Sequence, residues 1–266
     1  MSGSGGRKTI FVTGAASGIG RATAQFFAAR GWFVGLYDVN AAGLAETQAL
    51  IAADRQTSGA LDVRDLGAWR TAIAQFGDQT GGKLHVLFNN AGIGRGGWFE
   101  DIDPKTSDDI IDVNLRGVVY GVYAALPLLK ATPNARIVNT ASAAAVYGTP
   151  RAAIYSATKF AVRGLTEALD IEFRRHGVRV TSLMPWFVDT PILDTPASGA
   201  NETVRAALGD TKIYPVTIAA ERAWDAAHGD GVHYTVGGEA SLTRLASQLA
   251  PGFLRRRMAR LTTPKS

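Results

Sequence analysis

The chain has 266 residues, of which 46% are hydrophobic and 19% are charged, a composition typical of a soluble globular protein with one sizeable core. It has no cysteine, which excludes disulfides, thiolate catalysis and cysteine-ligated metals, and we expect no metal site. The net charge of +5 comes from the C-terminal tail, where six basic residues and no acidic residue occur from Ala240 onward. The rest holds 22 basic and 23 acidic residues, a balance that does not favour a nucleic-acid partner.

Short apolar runs, rich in β-branched and aromatic residues, alternate with helical patterns along the chain. Continuous apolar runs of this kind are typical of strands buried on both faces of a sheet. Their alternation with helices predicts an α/β fold, with a doubly wound parallel sheet of about seven strands and helices on both faces. The predicted strands are Thr9–Thr13, Phe33–Tyr37, Ala60–Asp62, Leu84–Asn89, Arg136–Thr140, Arg179–Leu183 and Val232–Val236. The predicted helices include Arg21–Arg30, Leu66–Phe76, Ser107–Leu129 and Ile154–His176.

No composition shift marks a linker before Gly237, so we expect one domain over residues 9–238. A flexible lead-in at residues 1–8 precedes it, and a basic amphipathic appendage at residues 239–266 follows it. The N-terminus shows no secretory signal, and no run of about 18 apolar residues could cross a membrane. We therefore expect a cytoplasmic protein without a transmembrane segment.

A glycine-rich segment, TGAASGIG at Thr13–Gly20, follows the first predicted strand and leads directly into a predicted helix. This is the context of a dinucleotide-binding turn in a Rossmann-type fold. Gly14 permits the tight turn, and Gly18 and Gly20 allow the backbone and the helix to approach a pyrophosphate. Ser17 and Ile19 lie within the same turn and belong to the predicted cofactor site.

Asp38 ends the second predicted strand, eighteen residues after Gly20. A carboxylate near this offset accepts hydrogen bonds from the adenosine ribose hydroxyls and repels a ribose phosphate. Positions 15 to 17 of the glycine turn are Ala, Ala and Ser, which offer no cation to such a phosphate, and Arg21 belongs to the helix. The predicted cofactor is therefore NAD rather than NADP.

Tyr155 and Lys159 lie four residues apart in YSATK, and this spacing places them on one face of a helix. A free tyrosine titrates near 10, and a nearby cation favours the phenolate and lowers that pKa. Ser142 follows the predicted strand Arg136–Thr140 and can hydrogen-bond a substrate oxygen near the tyrosine. Downstream of the glycine turn, this set indicates an oxidoreductase that interconverts an alcohol and a carbonyl.

In order and spacing, these motifs resemble those of the short-chain dehydrogenase/reductase family over roughly Lys8 to Gly238. The matching segments are Thr13–Gly20, Asp38, Asp62–Val63, NNAG at Asn89–Gly92, Asn114, Ser142 and Tyr155–Lys159. The resemblance implies that residues 9–238 are a dinucleotide-binding catalytic domain and that the protein is a homodimer or homotetramer. It also implies a catalytic tetrad of Asn114, Ser142, Tyr155 and Lys159.

The same resemblance implies roles around the cofactor. Asn114 would hold a helix backbone group and a water that links Lys159 to solvent, and Lys159 would also bind the nicotinamide ribose. Asp62 and Val63 would flank the adenine. The adenosine side would be lined by Asn90, with Ala91 and Gly92 beside it.

One segment departs from the family pattern, which has Pro-Gly after the sixth strand, then a hydrophobic residue and Thr. Here Pro185, Val188 and Thr190 match the positions that contact the nicotinamide carboxamide, but Trp186 replaces the glycine. A large aromatic side chain there either narrows the site and stacks on a flat apolar substrate, or turns outward and packs under the 191–215 loop.

The leading interpretation is an NAD-dependent alcohol dehydrogenase or carbonyl reductase acting on an apolar secondary alcohol or ketone of a steroid-like, aryl or acyl type. Its substrate pocket would include Ala143, Tyr147 and Trp186. The alternative enzyme is a 3-oxoacyl-thioester reductase. A basic patch would suit the acidic carrier protein of its substrate. Such reductases more often use NADPH, however, whereas Asp38 indicates NAD. A non-catalytic dinucleotide-binding sensor is the third possibility, although such proteins typically lose the tyrosine or the lysine.

The C-terminal segment loosely resembles the ends of family members that act on lipid-like alcohols of the steroid or retinol type. Leu254, Met258 and Leu261 repeat at helical spacing, with arginines alongside at positions 255, 256 and 260. We expect this stripe to dock on the pocket mouth, a second subunit or an anionic lipid surface. The first two are favoured, because one short helix gives only weak, reversible membrane contact.

Overall fold

The computed structural model describes residues 6–196 and 203–259. Within these residues, seven parallel strands form one sheet in the order β3-β2-β1-β4-β5-β6-β7. The strands are β1 Thr9–Thr13, β2 Phe33–Asp38, β3 Gln56–Ala60, β4 Val86–Asn89, β5 Arg136–Thr140, β6 Arg179–Pro185 and β7 His233–Val236. The order of the strands reverses between β1 and β4, which opens a crevice for a ligand at the carboxyl edge of the sheet.

Helices cover both faces of the sheet, so the predicted doubly wound α/β fold is confirmed. They are α1 Gly18–Ala28, α2 Ala41–Ala49, α3 Leu66–Thr80, α4 Pro104–Ile111, α5 Gly117–Lys130, α6 Ala153–Phe173, α7 Val204–Ala207, α8 Val216–His228, α9 Gly238–Leu249 and α10 Pro251–Ala259. Alternate residues of each strand point to opposite faces. Ile10 of β1 therefore packs in a cluster with α1, α2 and α8, while Phe11 packs in a second cluster with α3, α5 and α6.

Two predicted elements differ from the structure. The third strand was predicted at Ala60–Asp62, which is wrong, because β3 is the preceding segment QTSGA at Gln56–Ala60. This strand lies at the edge of the sheet and is only partly buried, so its sequence has no apolar run. The single helix predicted over Ser107–Leu129 is divided into α4, a π-helical turn at Asp112–Arg116, and α5.

Helix α6 is fixed to the sheet by buried polar contacts. The Asp170 carboxylate accepts hydrogen bonds from Arg179 Nε at 2.9 Å and from the backbone N–H of Val180 at 3.1 Å, both in β6. One turn closer to the N-terminus of α6, the Thr166 hydroxyl accepts a hydrogen bond from the Asn139 side chain of β5 at 3.0 Å. These contacts set the position of the helix that carries Tyr155 and Lys159 against the ends of β5 and β6.

The C-terminal segment forms α9 and α10, and two members of the stripe that was predicted to dock, Leu254 and Met258, pack within the chain. Leu254 is only 2% exposed and Met258 is half-buried, so these two side chains face the protein. The remaining predicted members, Leu261 and Arg260, lie outside the described residues, as do Lys265 and residues 1–5 of the lead-in. In residues 6–196 and 203–259, no helix combines the length and apolarity needed to cross a bilayer.

Candidate active site

The glycine turn lies between β1 and α1, and its backbone is packed too closely for side chains. Gly14 and Gly18 have positive φ angles of 67° and 52°, a region that favours glycine. A Cβ added to Gly20 would lie 2.0 Å from the carbonyl oxygen of Gly14. Ser17 is the N-cap of α1, but its side chain makes no capping hydrogen bond. The first N–H groups of the helix therefore have no side-chain cap, and with the bare glycine backbone they form a cradle that fits a pyrophosphate, with Ile19 inside the turn.

Asp38 is fixed against this turn at the end of β2. Its Oδ2 accepts a hydrogen bond from the N–H of Ala16 at 3.0 Å, and its Oδ1 accepts one from the N–H of Asn40 at 2.9 Å. The neighbouring Arg21 is committed to α2, where its guanidinium contacts Glu46 at 2.7 Å and also bonds Thr47 and backbone carbonyls. The turn thus presents a carboxylate, while its nearby arginine is already paired.

The predicted adenine flank follows β3. The Asp62 carboxylate pairs with Arg64 at 2.8 Å, and this hydrogen bond lowers the pKa of Asp62. Val63 is buried, its carbonyl accepts a hydrogen bond from the indole N–H of Trp69 at 3.1 Å, and its side chain fills the space in front of Gly117. These contacts hold the segment in place between α3 and α5.

The NNAG segment links the carboxyl ends of three strands. Asn90 donates from Nδ2 to the carbonyl of Thr13 at 3.0 Å and accepts at Oδ1 from the Thr140 hydroxyl at 3.3 Å. The N–H of Ala91 donates to the Thr13 hydroxyl at 3.1 Å. A Cβ added to Gly92 would lie 3.6 Å from Lys159 Nζ, so the same segment reaches the proposed catalytic residues.

Asn114 is completely buried in the π-helical turn. Its side-chain amide pairs with the backbone of Ile93, accepting from the N–H at 2.9 Å and donating to the carbonyl at 2.9 Å. A longer contact of 3.4 Å joins Nδ2 to the Thr158 hydroxyl in α6. The backbone that Asn114 holds is thus the loop after β4, whereas the family resemblance implied a helix backbone group.

Ser142, Tyr155 and Lys159 converge at the end of β5. Lys159 Nζ lies 5.6 Å from the centre of the Tyr155 ring and donates a hydrogen bond to the carbonyl of Thr140 at 2.8 Å. The Ser142 hydroxyl accepts a hydrogen bond from the N–H of Ala144 at 3.1 Å, and its interaction with the Tyr155 hydroxyl favours a lower pKa of that tyrosine. The fold therefore brings together the three residues that the sequence singled out.

Burial dominates the titration of this group. It lowers the pKa of Lys159 to about 8, and it raises the pKa of Tyr155, with the Ser142 hydrogen bond acting in the opposite direction. The Tyr155 side chain is half-buried. The rise in the pKa of Tyr155 is opposite to the lowering expected from Lys159, because desolvation disfavours the phenolate as it disfavours the ammonium.

The segment after β6 closes the site from the other side. Pro185 pairs with Val236 of β7, and Val188 is buried next to Tyr214. The Thr190 methyl group lies 2.9 Å from the position of a Cβ added to Gly18. The segment predicted to contact the nicotinamide therefore lies directly against the glycine turn predicted to hold the pyrophosphate.

Trp186 is half-buried and packs with the cluster formed by α1, α2 and α8. Its ring contacts that of Phe187 edge to face at 5.3 Å between centroids. Its indole N–H is buried and, within the described part of the chain, has no hydrogen-bond partner. Trp186 thus packs against apolar side chains of the protein, and its contact with a substrate stays a prediction.

The other pocket residues lie beside Ser142. Ala143 begins the short turn that Ser142 caps, and Tyr147 follows it, half-buried. A Cβ added to Gly94 would lie 3.2 Å from Ile192 Cγ1 and 3.8 Å from Tyr155 Cδ2. Sequence reasoning missed Gly94 and Ile192, since no motif marks either residue and only the fold brings the two loops together.

Comparisons with known proteins agree with this geometry. A family model described as short chain dehydrogenase matches residues 8–200. Cyclohexanol dehydrogenase of Acinetobacter sp. (strain SE19) is 33% identical over 196 residues, which are 73% of this chain and 78% of that protein. A Streptomyces virginiae protein named monensin polyketide synthase putative ketoacyl reductase is 38% identical over 196 residues, covering 72% of this chain and 75% of its own length. The crystal structure of a short chain dehydrogenase/reductase from Burkholderia phymatum in complex with NAD has a TM-score of 0.80, 31% identity and 98% coverage of both chains.

The buried ammonium of Lys159 should destabilise the fold, so Lys159→Met should raise the free energy of unfolding by about 1–3 kcal/mol at pH 7. The pKa of Lys159 is about 8 in the folded chain and ordinarily 10.5, so the unfolded chain binds more protons between these values. Wild-type stability should therefore rise through this range and the advantage of the variant should shrink. Urea unfolding at pH 7 and above pH 10 measures both effects.

Lys130→Met removes an exposed lysine at the end of α5 and serves as the matched control, with little change expected at either pH. A Lys159→Met variant less stable than the wild type at pH 7 would show that the ammonium contributes favourable contacts that outweigh its burial.

Proposed function

The chain belongs to the short-chain dehydrogenase/reductase family, as its sequence predicted, and we propose that it is an NAD-dependent oxidoreductase that interconverts an apolar secondary alcohol and its ketone. The observation that carries the proposal is the convergence of Ser142, Tyr155 and Lys159 at the crevice beside the glycine turn. The dinucleotide-binding catalytic domain is assigned to residues 9–238. A homodimer or homotetramer in the cytoplasm is part of the same proposal.

The crevice fits NAD. The turn from Gly14 to Gly20 would hold the pyrophosphate, and Asp38 would accept hydrogen bonds from the adenosine ribose. When bound, NAD supplies the acceptor or donor of the hydride. The Burkholderia phymatum relative holds NAD, which supports the cofactor predicted from Asp38. The other contacts are assigned to Asp62, Val63, Asn90, Ala91, Gly92, Pro185, Val188 and Thr190, with Lys159 on the nicotinamide ribose.

Each catalytic side chain has a distinct task in this proposal. The Ser142 hydroxyl holds the substrate oxygen, and the Tyr155 hydroxyl gives a proton to a ketone oxygen or takes one from an alcohol. Lys159 stabilises the phenolate that forms when the proton leaves. Asn114 positions the loop after β4 through the Ile93 backbone. Because burial raises the pKa of Tyr155, the phenol is protonated at neutral pH, which is the form that serves reduction.

An apolar substrate suits the surroundings of Tyr155. Ala143 and Ala145 are buried next to Ser142, and Ile192 lies across from Gly94 beside the Tyr155 ring. Near the reacting oxygen, the polar groups are then Ser142 and Tyr155, which orient it, as in a typical small-molecule site with an apolar lining and a few polar groups. Cyclohexanol dehydrogenase, a relative whose name indicates a cyclic secondary alcohol, supports the same substrate class.

A 3-oxoacyl-thioester reductase is the second candidate. The Streptomyces virginiae relative named putative ketoacyl reductase favours it, at 38% identity. The two candidates separate in an NAD-linked assay that compares cyclic and aryl secondary alcohols with 3-oxoacyl thioesters. The retention of both Tyr155 and Lys159 argues against a non-catalytic sensor.

Tyr155→Phe should lower turnover by about 100-fold or more, because it removes the only proton that the phenol can exchange. The binding of NAD should persist, since the ring and its packing remain. Steady-state kinetics with a secondary alcohol and calorimetric titration with NAD measure the two effects. Tyr123→Phe, at an exposed position on α5, is the matched control, and near-normal activity of Tyr155→Phe would exclude the assigned role.

The wild type should use NAD at least about tenfold better than NADP, because Asp38 repels the ribose phosphate and Arg21 is committed to α2. Asp38→Ala combined with Val39→Arg should shift the ratio of the two kcat/KM values toward NADP by a similar factor. Val39→Arg alone, which keeps the carboxylate, separates the two contributions. Equal use of both cofactors by the wild type would show that Asp38 does not reach the ribose.

A further inference from the structure

An exposed apolar stripe runs along α9 and α10. Its members are Leu242, Leu245, Leu249 and Phe253, which are 68%, 53%, 76% and 56% exposed. Leu242, Leu245 and Leu249 are three and four residues apart, which places them on one face of α9. Phe253 follows in the first turn of α10, after the break in the helix at Ala250. Isolated exposed leucines are common, but a continuous row of large apolar side chains marks an interaction surface. We call these four residues the tail stripe.

The hairpin is held against the protein by its other face. Ala240 and Leu254 are buried, at 0% and 2% exposure. At the start of α9, the Tyr214 hydroxyl donates to the Glu239 carboxylate at 2.6 Å. The hydroxyls of Thr235 and Ser241 form a hydrogen bond of 2.8 Å. The inner face is therefore already docked within the chain, and the tail stripe is left for a partner.

The charges beside the stripe indicate the kind of partner. Arg255 and Arg256 are exposed next to Phe253, and Arg244 lies within α9. Within residues 6–196 and 203–259, no carboxylate forms an ion pair with any of these three arginines. The sequence has no acidic residue after Glu239. A partner must therefore combine an apolar layer with negative charge.

A second copy of this chain does not meet that requirement through the same surface. A symmetric contact would place the tail stripes of both copies together, and with them the unpaired arginines of both copies. Like charges brought together in an interface oppose its formation. A lipid surface with anionic headgroups offers acyl chains for the leucines and phosphates for the arginines.

We propose that the α9–α10 hairpin is a peripheral docking surface for an anionic lipid bilayer. The tail stripe lies in the apolar part of the interface, and the arginines contact the headgroups. The stripe spans two short helices, so the contact is reversible and superficial.

The docking surface lies next to the proposed active site. Helix α9 starts directly after β7 at the carboxyl edge of the sheet, and it packs against the 143–145 turn that follows Ser142. Tyr214, which bonds Glu239, also holds the 187–189 segment through backbone hydrogen bonds to Phe187 and Asp189. A docked protein would therefore present its substrate crevice close to the lipid. This last step rests on the proposed function, whereas the docking itself does not.

The test is flotation of the full chain with vesicles of two parts phosphatidylcholine to one part phosphatidylglycerol, compared with vesicles of phosphatidylcholine alone. We expect at least about tenfold stronger binding to the anionic vesicles, weakened by salt. The double variants Leu242→Ser/Leu249→Ser and Arg255→Gln/Arg256→Gln should each lower that binding by about tenfold or more. Leu50→Ser, which changes a leucine that is 56% exposed at the end of α2, should bind like the wild type.

Several outcomes would overturn the proposal. Two of them are equal binding to both kinds of vesicle and unchanged binding by both double variants. A third is a smaller oligomer mass of the leucine variant in lipid-free buffer, which would assign the stripe to a subunit interface. Binding to an acidic carrier protein without binding to anionic vesicles would assign it to a protein partner. Far-ultraviolet circular dichroism checks that each variant is folded. Turnover of a small water-soluble secondary alcohol without lipid tests the proposed function separately.

Discussion

The burial of Lys159 without a carboxylate partner is the constraint on which the proposed site depends. Within the described residues, its ammonium pairs with no acid, and the carbonyl of Thr140 accepts its hydrogen bond. Burying an unpaired charge costs free energy, and here it lowers the pKa of Lys159 to about 8. The cation is held there by α6, which Asp170 and Thr166 fix to the strands that form the floor of the crevice. Such a costly arrangement is expected where chemistry, not stability, decides the residue.

Much of the fold could be predicted because its central strands are buried on both faces. β1 and β5 have the predicted bounds, since each is a short segment with β-branched residues between helical patterns, as is typical of a buried strand. β3 was misplaced, because an edge strand with the sequence QTSGA needs only backbone pairing with β2 and has no apolar pattern. The π-helical turn at Asp112–Arg116 has no sequence signal and was predicted as ordinary helix.

The site was predictable to the extent that local spacing encodes it. The i, i+4 spacing places Tyr155 and Lys159 together on any helix, and the positive φ angles of Gly14 and Gly18 are a local reason for glycine in the turn. Contacts between distant segments were not predictable, such as the Asn114 amide on Ile93 or the approach of Ile192 to Gly94. The tail shows the same limit, since periodicity predicted an apolar stripe that docks, but only the fold shows that Leu254 is buried within the chain itself. The direction of the shift in the Tyr155 pKa was not predictable either, because it depends on how far burial outweighs the nearby charge of Lys159 in the folded chain.

The most direct test of the account is the titration of Tyr155 by nuclear magnetic resonance, with tyrosine labelled at the ring Cζ and the signal assigned through Tyr155→Phe. In the protein without cofactor, the account predicts that Tyr155 stays protonated beyond the ordinary tyrosine pKa near 10, because burial opposes the phenolate. With saturating NAD, the added positive charge should lower its pKa. A Tyr155 signal that titrates near 10 both with and without NAD would contradict the account.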